Sequence, residues 1–142
     1  MDNNKRTIQL MNKFFKKGTY KGEKGWYGYK LFETPTFGYM FPVPKHWKIT
    51  KGSVLVARGK GRLNKDIRRH CARGIHFATK GWIMRIVDVD QFPDTLVFKT
   101  FVPRSNLDNI IISDITHQYS HSSHVKARTD RLTLVRQVDM NP

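Results

Sequence analysis

The residues best suited to chemistry in this chain are its single cysteine and its six histidines. Cys71 stands between His70 and His76 in GRLNKDIRRHCARGIHF, residues 61–77, among five Lys and Arg. A nucleophilic thiol needs a base and a setting that favours thiolate. The arginines supply the second, but His70 is an adjacent residue in a segment that reads as helix, where neighbours diverge by about 100°. Cys71 also continues the spacing of Leu63 and Ile67, which marks it as a small structural residue. His117, His121 and His124 in THQYSHSSH have a spacing with which a helix can hold zinc. No cysteine or glutamate lies near them and two serines weaken the helix, so the segment reads as a polar loop and no metal is assigned. Two imidazoles around a phosphate can cleave a nucleic acid by acid–base transfer. His76 and one of the late histidines form the candidate pair, and the sequence leaves open whether they meet. Asp88 and Asp90 in VDVD fall on one face of a strand, and a solvated strand end accounts for them equally. No glycine-rich phosphate loop, HExxH or paired CxxC is present. No catalytic residue and no cofactor is assigned.

The basic residues carry a sharper signal. Net charge is +15, and it is uneven. Residues 1–80 hold 19 Lys and Arg against four acids, whereas residues 81–142 hold seven of each kind. A chain that folds the first part onto one side presents a cationic face, which attracts a polyanion. The N-terminus MDNNKRTIQL lacks the apolar core of a signal peptide, and no apolar run approaches the ~20 residues of a membrane span. One cysteine makes no internal disulfide, which fits a reducing cytoplasm. At 142 residues with 39% hydrophobic residues, the chain is long enough for one domain with one core.

Several elements must position these residues. NNKRTIQLMNKFFKKG reads as an amphipathic helix within 1–18, with Ile8, Met11 and Phe15 on its apolar stripe and Lys13, Lys16 and Lys17 in its last turns. Gly18 is placed to end it. The body, 19–142, opens with the strand YGYKLFE, with Tyr27, Tyr29 and Leu31 on one face, and continues to the strand SVLVAR. Eight aromatic residues lie from Trp26 to Trp47, interleaved with Lys24, Lys30, Lys45 and Lys48. That mixture suits base stacking beside phosphate contacts, and a β-rich core asks for the same rings. From Arg62 to Arg73 the spacing predicts a helix whose Arg62, Lys65, Arg69 and Arg73 share one stripe. GIHFAT, WIMRIVDV, TLVFKTFV and RLTLVRQV read as strands, the second lying mid-sheet because it is apolar on both faces. SNLDNIIISDI reads as a capped helix or as a strand over Ile110 to Ile112. The expected fold is α+β, a mostly antiparallel sheet with the N-terminal helix and one or two further helices.

Two stretches resemble known families. YGYKLF, followed by C-x-x-G-I-H at Cys71 to His76, resembles a small domain of phage and bacterial proteins that begins with a GYK-like strand and has a C-x-x-G-[IL]-H centre. This resemblance touches residues 27–89 and implies phage origin without an established activity. GIHFAT is similar to the G-[IL]-Y-F-[AST]-[ST] strand of ADP-ribosyltransferase folds, in which an early strand resembling YKLF lines the nicotinamide pocket. Active members carry a Glu on a late strand, and none follows Glu33 here. An ordinary active transferase is therefore disfavoured, and a degenerate, binding-only relative is one reading of this resemblance.

The combined reading is a small, non-catalytic, phage-type accessory protein of the cytoplasm that binds nucleic acid or a nucleic-acid-bearing complex. Its expected contacts are Arg58, Lys60, Arg62, Lys65, Arg69 and Arg73, with Lys24, Lys30, Trp26 and Lys48. Two alternatives stay open: an inhibitor that docks on a host defence or nucleic-acid-processing protein, and a histidine-based nuclease or ADP-ribosyltransferase-like enzyme. The choice between DNA and RNA and the oligomeric state are not written in the sequence.

Overall fold

A computed structural model describes residues 3–32, 44–69, 72–86, 96–113 and 125–139 of the chain. The N-terminal stripe does what its spacing predicts. Helix α1, Asn3–Phe14, buries Met11 completely, Phe15 follows it into the core, and Ile8, Leu10 and Phe14 pack alongside. Lys13 lies in the last turn, as expected, but the helix stops before Lys16 and Lys17. Phe15 N still donates to the Met11 carbonyl (2.9 Å), but Lys16 already opens strand β1, Lys16–Tyr20. Lys16 and Lys17 are therefore strand residues, and Gly18 ends no helix. Pairing decides this: β1 turns back at Lys21 and Gly22, both at positive φ, and zips onto β2, Glu23–Phe32, from Lys16 opposite Tyr27 to Tyr20 opposite Glu23.

Strand β2 is the spine of the sheet. Trp26, Gly28 and Phe32 turn inward, while Tyr27, Tyr29 and Leu31 share the outer face. The remaining strands are β3 (Val54–Val56), β4 (Ile75–Ala78), β5 (Leu96–Pro103), β6 (Ile110–Ile112), β7 (Lys126–Thr129) and β8 (Arg131–Val138). Their order is β3-β8-β5-β2-β4-β7-β6, with β1 also on β2, and every pairing among the described residues is antiparallel. Only Asp130 separates β7 from β8, yet β5, β2 and β4 lie between them in that order. The sheet must therefore curl, and one core joins Leu55 of β3 at one edge to Ile110 and Ile112 of β6 at the other. Asp130 pins the corner: its carboxylate accepts from Asn106 (3.0 Å) and Asn109 (3.1 Å), and its carbonyl accepts from Ala57 N (2.9 Å). The fold is α+β with a mostly antiparallel sheet, as the patterning predicts.

One predicted strand is a helix. WIMRIVDV begins inside α2, Lys80–Ile86, and its residues from Val87 lie outside the described ones. Thr79 sets the switch. Its Oγ1 accepts from Val125 N (3.0 Å) and, more loosely, from Trp82 N (3.4 Å), while its carbonyl takes the first helical bond from Ile83 N. Ile83 is then buried with Ala78 and Val97 on the outer side of the sheet. An apolar run of this length looks the same as buried helix or buried strand. In SNLDNIII the strand reading holds for Ile110–Ile112 as β6. The helix before it is a 3-10 turn over Arg104–Asn109 that follows Pro103 with no side-chain cap, so Ser105 lies inside it and does not cap it. Among the described residues no helix is long and apolar enough to cross a membrane.

Candidate nucleic-acid interface

The basic segment after β3 is not the predicted helix. Its described residues from Arg58 to Arg73 form turns and irregular chain. The cause is a residue that no local pattern singles out. Arg128 of β7 is 2% exposed and lies opposite His76 of β4 on the outer face of the sheet. Its guanidinium donates to three loop carbonyls: Nε to Asn64 (2.8 Å), Nη2 to Asp66 (2.9 Å) and Nη1 to Arg69 (2.9 Å). In an isolated helix those carbonyls would bond within the segment. Here a rigid five-donor fork, brought by a distant strand, replaces the helical partners.

Local chemistry completes the loop. Asn64 Oδ1 accepts from Asp66 N, Asp66 Oδ1 accepts from Arg68 N, and Asn64 N donates to the Arg73 carbonyl. Short polar side chains that bond their own backbone in this way compete with helix. Gly59 and Gly61 take positive φ in the approach to the loop. Gly74 lies so close beneath it that a Cβ would come within 2.9 Å of Leu63 and 3.2 Å of Arg128. The loop is thus fastened from below by a buried cation.

Its side chains point elsewhere. Arg58, Lys60, Arg62, Lys65, Arg69 and Arg73 are all exposed. The helical stripe is gone, but the cations it was meant to display remain on the surface, and Arg73 reaches back to the Lys60 carbonyl at 3.4 Å. Asp66 is the one acid in residues 58–73. It forms a two-pronged pair with exposed Arg68, both contacts 3.0 Å, and that guanidinium holds its carboxyl down at about 2.

The other expected contacts separate into two kinds. Lys24 and Lys48 are exposed. Lys24 borders a shallow depression of about 300 Å³ together with Lys17 and Arg104. Trp26 is buried, and its indole N–H donates to Asn12 (2.9 Å), so it belongs to the core and cannot stack on a base. Lys30 is turned inward as well. Its ammonium donates to the His76 carbonyl (2.8 Å) and sits 5.4 Å from the Phe32 ring centroid and 5.8 Å from that of Trp47. Burial first, and then the charge of Lys126, lowers its pKa to about 8. Because β2 alternates, both lie on its inner face: Trp26 is closed off from the surface, and Lys30 is half-buried with its ammonium already bonded to the His76 carbonyl.

His76 is held by Ala72, whose carbonyl accepts from Nε2 (2.6 Å), leaving Nδ1 buried without a partner among the described residues. Burial is the main cause that lowers its pKa to about 4, with Lys126, Lys30 and Arg128 adding to it against the bond to Ala72. At neutral pH it is an uncharged imidazole. His70, Cys71, Asp88, Asp90, His117, His121 and His124 lie outside the described residues.

Register brings together residues that the sequence reading left out: Lys16 of β1, Tyr27 of β2, Lys99 of β5 and Arg136 of β8 lie on the outer face. The available signal was period-two alternation in each strand, which tells a face but not its neighbours. Comparison with protein-family models, curated proteins and solved structures finds no match. The functional reading therefore stands on geometry and charge.

Proposed function

We propose that this chain is a small non-catalytic accessory protein of the cytoplasm that binds nucleic acid through a pre-shaped basic loop. The observation that carries the reading is the loop over residues 58–73: six exposed Lys and Arg outside the Asp66–Arg68 pair, on a backbone fastened by buried Arg128. Cations on a held backbone lose less freedom on meeting phosphates than cations on a loose tail. Phosphate contacts by Lys and Arg position a protein without reading bases, so the expected binding is general rather than sequence-specific. A phage-type setting rests on the resemblance carried by YGYKLF and CARGIH.

The test is a salt series. Full-length protein, purified free of nucleic acid, is titrated with fluorescent duplex DNA, single strands and RNA. Affinity is expected to fall linearly with salt on a logarithmic scale. Arg62→Ala/Arg69→Ala should reduce that slope by about two units. The control is Lys5→Ala/Lys13→Ala, an equal change of charge on exposed positions of α1. Equal losses from both pairs would mean that net charge alone binds. Absence of salt-sensitive binding would overturn the reading.

A further inference from the structure

The outer face of the sheet carries a second cationic surface, away from the part packed against α2. Lys16 stands opposite Tyr27, Tyr27 opposite Phe101, and Lys99 opposite Arg136. The Tyr27 ring lies over Gly18, where a Cβ would meet its Cε2 at 2.5 Å. Its hydroxyl donates to the Thr19 carbonyl at 2.7 Å, which fixes the ring across β1. Phe101 packs beside it (centroids 5.1 Å apart) and touches Tyr20 in turn (5.5 Å). Both tyrosines are half-buried, whereas Phe101 is 2% exposed.

Cations frame these rings. Lys99 Nζ lies 4.5 Å from the Tyr27 centroid. Burial lowers the Lys99 pKa, and the charges of Arg136 and Lys16 lower it further. Among the described residues no ion pair engages Lys16, Lys99 or Arg136. In register, Glu23 stands opposite Tyr20 at the hairpin end, where it accepts from Ser105 Oγ at 3.5 Å, and Asp139 follows β8 three residues beyond Arg136. Three mutually repelling cations gathered around fixed rings are relieved by an anionic polymer. The rings decide which polymer. A duplex keeps its base faces inside its own stack, whereas a single strand can lay them on tyrosine while its phosphates meet Lys and Arg.

We propose that this sheet face grips single-stranded nucleic acid, with bases on Tyr27 and Tyr20 and phosphates on Lys16, Lys99 and Arg136. The proposal rests on the nucleic-acid reading above and names its preferred form.

Two measurements test it on the full chain. Iodouracil-substituted single strands, irradiated with wild-type protein, should cross-link to peptides containing Tyr20 or Tyr27. Tyr27→Leu, checked for native circular dichroism, should weaken single-strand binding by about tenfold and leave duplex binding within about twofold. Lys16→Gln/Arg136→Gln, at exposed positions, should weaken single strands more than duplex. Cross-links confined to residues 58–73, or single-strand affinity unchanged in both variants, would overturn the proposal. If binding to all forms then fell only with Arg62→Ala/Arg69→Ala, the basic loop would stand without the sheet face. Failure of wild-type protein to bind any nucleic acid would end both.

Discussion

At the scale of single residues, burial separates groups that the sequence lists as equals. His76 was a candidate acid–base residue because it adjoins a basic run, but it folds into a neutral buried imidazole bonded to Ala72. Its folded pKa of about 4 lies below the ordinary 6.5, so the unfolded chain takes up the proton first as pH falls. The stabilisation from keeping His76 neutral is complete above pH 6.5 and is lost between about 6.5 and 4. Between pH 7.5 and 4.5 His76 alone should cost about 2–3 kcal/mol of stability. Urea unfolding at both pH values measures this, and His76→Gln should show correspondingly less acid sensitivity. Equal acid sensitivity in the variant would refute the assignment. Trp26 and Lys30 teach the same lesson. Their types suit a nucleic-acid surface, but alternation along β2 sends both inward.

At the scale of elements, long-range hydrogen bonds override local spacing. Leu63, Ile67 and Cys71 recur as on a helix, yet Arg128 takes the carbonyls of Asn64, Asp66 and Arg69. Removing the guanidinium strands three carbonyls beneath the loop. Arg128→Leu should therefore cost at least about 3 kcal/mol in urea unfolding. Hydrogen exchange should quicken first at the amides of Asn64 and Arg69, which bond to Arg73 and Asp66 within the loop. A loss below about 1 kcal/mol, with exchange unchanged, would show that the loop holds its own shape. The helix α2 shows the opposite substitution, with an apparent strand becoming a helix once Thr79 is tied to Val125.

At the scale of the whole molecule, the curl of the sheet depends on the corner between β7 and β8. Asp130 is 8% exposed and joins the 3-10 helix, through Asn106 and Asn109, to the chain leaving β3 through Ala57. Asp130→Ala leaves both amides without their carboxylate, and an expected loss of about 2–3 kcal/mol follows from hydrogen bonds to a charged group. Chemical denaturation with an unchanged slope would locate the effect in the folded state. A change within about 0.5 kcal/mol would show that the corner closes without it. The same curl redistributes charge. Residues 81–142 have no net charge, yet Lys99 and Arg136 stand with Lys16 on one face, and Arg128 shapes the basic loop of the other half.

Composition, charge and alternation were enough for the α+β class, for α1 with its Ile8–Met11–Phe15 stripe, for strands β2, β3, β4, β5 and β8, and for exposed cations at 58–73. These follow from local rules, in which a residue's face depends on its position along its own element. Tertiary structure alone decided the form of the basic segment, the helix after Thr79, the burial of Trp26, the inward bond of Lys30, and the company of Tyr27. Each depends on what a distant strand brings opposite: Arg128 lies 64 residues from Asn64, and Thr79 lies 46 from Val125. Periodicity gives a side chain its direction. Only pairing between strands gives it a neighbour.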